Sequence, residues 1–304
     1  MAIAIADLTK RYGHVVSRKK ITAVKNLKLE VRKGEIFGFL GLNGAGKTTT
    51  IRILLDLIRP TAGAASIFGR NCQSNGLEAR SLIGYLPGEM GVYADLTGRR
   101  LLDLLAGLGP HAIDPSYRGE LQERLELTDK DLNRRLREYS TGMKRKLGLI
   151  QAFQTDPPLL ILDEPTEGLD PLVQDSFYQL LHDLRERGRT VFMSSHVLSE
   201  VERVCERIGV IRQGELVLLS TVEDIRRMAP RRVRVLFSRA AADTPKLPNG
   251  HELISATERE WNLRVQGALG PLLALLDGHE VSDIEIQEPK LEDVLIRYYR
   301  EGRA

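Results

Sequence analysis

Cysteine is scarce in this 304-residue chain: only Cys72 and Cys205 occur, far apart and outside any Cys-x-x-Cys spacing. That excludes a disulfide framework and a thiolate zinc site, and it fits a reducing compartment. Long apolar runs are missing as well, since no uninterrupted stretch reaches the roughly 18 residues that cross a bilayer. The N-terminal Met1-Ala2-Ile3-Ala4-Ile5-Ala6-Asp7 has no basic segment and meets a carboxylate early, so no secretory signal is expected. Charge of one sign is not in excess either. With 44 basic and 41 acidic residues the formal charge is +3, too balanced to make nucleic acid or anionic lipid the main partner. No internal repeat is visible.

What is present is an ordinary globular composition, 42% hydrophobic, sufficient for one large domain with or without a smaller one. Residues 3 to 8 and 21 to 31 read as strands, the second alternating through Val24, Leu27, Leu29 and Val31. Ile36-Phe37-Gly38-Phe39-Leu40 is nearly all apolar, as a strand covered on both faces must be, and a helix is expected from Lys47 to about Leu57. From Leu101 to Gln154 the periodicity is helical, which predicts a helical subdomain at about 88–157. Buried-strand character returns at Leu159–Leu162, Thr190–Met193 and Ile208–Ile211, separated by helix-length segments. Beyond residue 220, short strands at 232 to 237, 252 to 256, 261 to 266 and 281 to 286 alternate with helices near 270 to 277 and from Lys290 to about Arg300. The expected organisation is therefore an α/β unit over 1–220 and a small α+β unit over 221–304.

Gly41-Leu42-Asn43-Gly44-Ala45-Gly46-Lys47-Thr48 matches the phosphate-loop pattern G-x-x-x-x-G-K-[ST], placed where such a loop must lie, after a buried strand and before a helix. Glycines let the backbone wrap a phosphate at close range. The amides of Asn43 to Thr49 and the helix N-terminus supply positive potential, Lys47 reaches the β and γ phosphates, and the Thr48 hydroxyl is a Mg²⁺ ligand. A second constellation is Leu159-Leu160-Ile161-Leu162-Asp163-Glu164, four aliphatic residues running into two carboxylates at a strand's carboxyl end, where open parallel sheets bind ligands. Divided labour is the natural reading: Asp163 holds Mg²⁺ through water, and Glu164 polarises the attacking water.

Taken with Tyr139-Ser140-Thr141-Gly142-Met143, Gly168-Leu169-Asp170-Pro171 and His196, these segments resemble the ATPase of the ATP-binding cassette (ABC) transporters, over roughly residues 3 to 220. The resemblance implies a P-loop NTPase cassette: a mixed or parallel sheet core, antiparallel strands at the N-terminus and an inserted helical subdomain. It also implies MgATP as the ligand. Tyr12 would stack on adenine, His196 would contact the γ phosphate, and Ser140 and Gly142 would reach the γ phosphate held by a second copy, with Asp170 at the interface between copies. A single cassette then works as a head-to-tail homodimer docked on a separately encoded membrane permease, peripheral to the cytoplasmic face. The segment Glu288–Leu295 resembles the tail of bacterial drug-exporter ATPases, which implies efflux of a drug-like or lipid-like molecule.

Two departures stand out. Thr141 and Met143 replace a glycine and a glutamine common in the family's Ser-Gly-Gly-Gln segment, and Gly88 stands where the family carries a glutamine that touches Mg²⁺ and water. Its role falls to the backbone there or to Glu89. His14 to Lys20 lengthen the loop after Tyr12. The alternatives to a transporter subunit are a soluble cassette ATPase acting on ribosomes or DNA, and a P-loop kinase or GTPase.

Overall fold

The computed structural model describes residues 1–13, 20–91, 93–109, 112–240, 247, 250–287 and 294–295. It opens with β1 (Ile3–Gly13) and β2 (Lys20–Val31), which pair antiparallel from Ile3 opposite Val31 to Gly13 opposite Lys20. β1 runs past the expected end at residue 8. Asp7 adopts φ 46° and register shifts follow Ile5 and Leu8, so inside–outside alternation breaks while pairing continues. The lengthened loop expected at His14 to Lys20 lies outside the described residues, apart from the pairing of Lys20.

Next come β3 (Ile36–Leu40) and α1 (Lys47–Leu54). The helix is one turn shorter than the expected end at Leu57. Asp56, at φ 55°, enters the left-handed region and the Leu57 N–H donates to Arg52 O at 2.9 Å, which closes the end as a left-handed cap. β4 (Ala62–Ile67), β5 (Arg70–Asn71), α2 (Gly76–Arg80) and β6 (Ile83–Leu86) follow. None of these was expected from the sequence. β4 is built mostly of alanine, glycine and serine, which carry no strand signal, and β6 contains Gly84.

The expected helical subdomain holds α3 (Gly98–Gly107), α4 (Pro115–Arg124), α5 (Asp129–Leu132), a 3₁₀ turn at Leu136–Glu138 and α6 (Thr141–Phe153). Each α-helix starts on a side-chain cap, Thr97, Asp114, Thr128 and Ser140, which satisfies an otherwise orphan N–H. Then come β7 (Leu159–Asp163), α7 (Pro171–Glu186), β8 (Thr190–Ser195), α8 (Leu198–Val204), β9 (Arg207–Arg212) and β10 (Glu215–Thr221). A two-residue turn joins β9 and β10, with Gln213 at φ 49° and Gly214 at φ 83°, the left-handed pair such hairpins need.

The segment ends with α9 (Val222–Met228), β11 (Arg231–Phe237), β12 (His251–Ala256), β13 (Glu260–Val265), α10 (Gly270–Leu276) and β14 (Val281–Gln287). The helix expected from Lys290 to about Arg300, and the tail segment from Glu288, lie outside the described residues except for helical, buried Val294 and Leu295. The chain divides into two compact units, Met1–Leu219 and Ser220–Ala304.

Among the described residues the strands form three sheets. One is antiparallel, ordered β2-β1-β4-β5, and another has the order β10-β9-β3-β8-β7-β6. Within the latter, β9, β3, β8, β7 and β6 are mutually parallel. Every residue of β3, β7 and β8 is buried, as strands covered on both faces must be. Phe37 and Phe192 stack with centroids 5.8 Å apart, and Phe39 lies 5.4 Å from Phe192. In the second unit β12-β13-β11-β14 is antiparallel, and Val233, Val235, Phe237, Trp261, Leu263 and Val265 on one face pack on Leu272 and Leu276 of α10.

Gly84 explains why β6 is hard to see in the sequence. A Cβ there would lie 2.0 Å from Ala152 O and 2.8 Å from Leu160 Cδ2, so glycine is retained for close approach of α6 to the sheet edge. Gly84→Ala is expected to cost ~1–3 kcal/mol by overpacking, or roughly 3–10 °C in Tm for a domain of this size. Thermal circular dichroism checks it.

Candidate active site

Parallel pairing decides where the chemistry-bearing residues meet. Leu40 is opposite Ser195 and Asp163 opposite Ser194, so the carboxyl ends of β3, β8 and β7 lie side by side. The loop Gly41–Gly46, the pair Asp163-Glu164 and His196 each leave one of these ends. The six-residue loop ends on Gly46 at φ 112°, where a Cβ would press to 2.4 Å from Ala23 O. Only glycine meets both demands without strain. Below the loop is a cavity of about 190 Å³, lined by Ala23, Leu42, Asn43, Gly44, Gly46, Lys47, Thr48, Thr49 and Glu164.

Lys47 is buried, with its ammonium donating to Gly41 O at 2.5 Å and lying 3.0 Å from Glu164 Oε1. The other oxygen of Glu164 is 2.8 Å from His196 Nδ1. Lys47, Glu164 and His196 thus form one polar chain across three strand ends. Glu164 sits at φ 51°, a region that non-glycine residues occupy at a cost and that clusters at functional sites. Its N–H donates to Ser194 O at 3.2 Å and lies 3.1 Å from Ser194 Oγ.

Asp163 is wholly engaged. Thr48 Oγ1 donates to its Oδ2 at 3.0 Å and Ser194 Oγ to its Oδ1 at 2.5 Å. A hydroxyl and a carboxylate oxygen brought together this way are the hard donors that would suit Mg²⁺, together with phosphate oxygens and water. Among the described residues no group of three or more His, Cys, Asp or Glu could hold a metal ion alone, so a cation at Thr48 and Asp163 needs those extra oxygens.

His196 is half exposed, yet its strand end is pinned from behind. Glu200 of α8 accepts from Thr166 Oγ1 at 2.5 Å and from Ser195 Oγ at 2.8 Å, and Ser195 Oγ also receives the Val197 N–H at 2.9 Å. Sequence reasoning assigned no role to Ser194, Ser195, Glu200 or Arg145. Serines ending an otherwise apolar strand were the signal for the first two; nothing in the local pattern marks Glu200 or Arg145.

Other sequence-predicted residues stand apart from the loop cavity. Ala45 turns into the core, and its N–H donates to Leu42 O at 3.0 Å. Tyr12 is 41% exposed on β1, with Lys10 Nζ 5.1 Å from its ring centroid. Ser140 caps α6, accepting from the Met143 N–H at 3.2 Å. Asp170 caps α7, accepting from the Val173 N–H at 3.0 Å, and lies 3.4 Å from Lys146 Nζ. The Val173 N–H and then Lys146 hold its carboxyl below the usual carboxylate range. Gly142 packs on the same loop, since a Cβ there would be 2.8 Å from Gly168 O. Gly88 stands against Asp163, where a Cβ would be 3.3 Å from Oδ2.

Comparison with known proteins points to one family. Residues 24–167 match the family model described as ABC transporter. The bacitracin transport ATP-binding protein BcrA of Bacillus licheniformis is 43% identical over 217 residues, 70% of this chain and 68% of that protein. The linearmycin resistance ATP-binding protein LnrL of Bacillus subtilis is 35% identical over 222 residues, 72% of this chain and 69% of that one. Among solved structures, the dimeric post-hydrolysis state of the ATP-binding cassette MJ0796, bound to ADP and Pi, superposes with a TM-score of 0.66 at 25% identity, covering 72% of this chain and 98% of that chain.

Proposed function

The chain belongs to the ATP-binding subunits of ABC transporters and is an ATPase, and from that premise we propose that two copies hydrolyse MgATP to drive efflux of a small molecule through a separate membrane permease. The observation that carries the site assignment is a single cluster at the loop cavity: Lys47, Thr48 and Glu164 line it, Asp163 accepts from Thr48, and His196 lies against Glu164. Phosphates lie on the amides of Asn43 to Thr49 at the start of α1, where the helix N-terminus favours negative charge. Lys47 exchanges its Glu164 contact for the β and γ phosphates, which frees Glu164 to take the proton of the attacking water. His196, 2.8 Å from Glu164, contacts the γ phosphate and orients Glu164 toward the water.

Thr48 directly and Asp163 through water would hold Mg²⁺, which would neutralise charge on the phosphate oxygens. Tyr12 covers the adenine face, and Ser140 and Gly142 of a second copy close the γ phosphate, with Asp170 near the junction. What supports a paired state is the capped start of α6, whose N–H groups form an anion site that this chain's own loop cavity leaves outside its lining.

No helix among the described residues is long and apolar enough to cross a membrane; the membrane partner is inferred from the relatives named as transport ATP-binding proteins. Efflux is favoured by the relatives named for bacitracin transport and linearmycin resistance, and the chain works at the cytoplasmic face of the membrane, bound to that partner. Affinity capture of the full chain from its native membranes tests this. A multi-span protein retained with ATPase activity is the expected result; a ribosomal or DNA-bound complex without one would refute the transport assignment.

A further inference from the structure

Arg145, about one turn into α6, is only 5% exposed and lies beside the site. Its Nη1 donates to Pro87 O at 2.9 Å, its Nη2 to Gly88 O at 2.8 Å, and its Nε to Glu167 O at 3.2 Å. The Glu167 carboxylate is 3.4 Å from Nη2. Burial pushes the guanidinium pKa down, and the carboxylates of Glu167, Asp163 and Glu164 oppose that. One side chain on α6 therefore binds the segments on both sides of the carboxylate pair. Gly88 lies close to Asp163, since a Cβ there would be 3.3 Å from Oδ2, the oxygen that also receives Thr48, and the Glu167 N–H donates to Glu164 O at 3.3 Å.

We propose that Arg145 is a positioning residue for hydrolysis, which holds the Pro87-Gly88 backbone against Asp163 and the Glu167 turn against Glu164. It thereby supplies through the main chain the alignment for which this sequence has no side chain at position 88. The inference rests on the site assignment above. Only a planar fork with five N–H groups reaches two adjacent carbonyls and a third at once. Glutamine keeps one or two of those donations, and lysine keeps the charge without the fork. Neighbouring Lys146 reinforces the same loop through Asp170, so α6 acts as the bed on which residues 167–170 lie.

The test uses the full-length chain and the variants Arg145→Gln, Arg145→Lys, Gly88→Ala and Arg145→Gln with Gly88→Ala. ATP affinity is measured by calorimetry in chelator and in Mg²⁺, with kcat, KM and Tm alongside. Arg145→Gln should keep ATP affinity in chelator, lose the gain in affinity that Mg²⁺ brings, and drop kcat by about 10–100-fold, the scale of a misplacement near 1 Å. Arg145→Lys should fall between it and the unmodified chain. Adding Gly88→Ala to Arg145→Gln should lower kcat little further, because both act through one contact. A lowered Tm with unchanged kcat and Mg²⁺ response would make Arg145 purely structural and overturn the proposal, as would independent multiplication of the two kcat losses. If Arg145→Gln does not fold, a normal kcat in Arg145→Lys overturns it equally. Absence of ATP hydrolysis in the unmodified chain would instead sink the site assignment itself.

Discussion

Replacing Glu164 by glutamine is expected to lower ATP turnover by about 10²–10⁴-fold, the usual contribution of a positioned general base, while ATP affinity and Tm stay near their original values. The reason lies in shape. Glutamine has the length of glutamate, keeps an acceptor for the Lys47 ammonium now 3.0 Å from Oε1, and can still face His196 Nδ1 at 2.8 Å. What it loses is the ability to take a proton from water. Because binding persists while hydrolysis stops, the variant should also accumulate as a nucleotide-bound pair of chains. Phosphate-release kinetics with calorimetric ATP titration separates the two effects, and turnover at the unmodified rate would remove Glu164 from its assigned role.

Lys47→Ala should act on the other quantity. A charge-assisted hydrogen bond is worth ~1.5–3 kcal/mol, so removing the ammonium should weaken ATP binding by roughly 10–150-fold. The same change leaves Glu164, with a side chain only 16% exposed, without its cationic partner. An uncompensated, partly buried carboxylate is unfavourable, so a modest fall in Tm should accompany the loss of affinity. Calorimetry that finds unchanged ATP affinity would contradict the placement of the triphosphate beside Lys47.

The chemistry was more visible in the chain than the architecture around it. Gly41–Thr48 and Leu159–Glu164 carry their meaning locally, because an apolar strand running into glycines or carboxylates has few other uses. Their meeting is non-local, and it follows from β3, β8 and β7 being parallel neighbours. Strand β4 escaped because alanine, glycine and serine replace the branched residues that mark strands, and β6 because it is only four residues long and is interrupted by Gly84, which makes room for the backbone of α6. The extension of β1 to Gly13 was hidden by its register shifts. Glu200 and Arg145 were invisible for a related reason. A single charged residue on an amphipathic helix reads as surface until its partners, at Ser195 and Thr166 or at Pro87 and Gly88, are brought to it by the sheet.

The most direct measurement is a crystal structure of the full chain with a non-hydrolysable ATP analogue and Mg²⁺. It should show the β and γ phosphates on the amides of Asn43 to Thr49 with Lys47 moved from Glu164 onto them, and Ser140 and Gly142 of a second copy closing the γ phosphate. An analogue bound elsewhere, or a loop cavity still filled by the Lys47–Glu164 pair at saturating nucleotide, would contradict it.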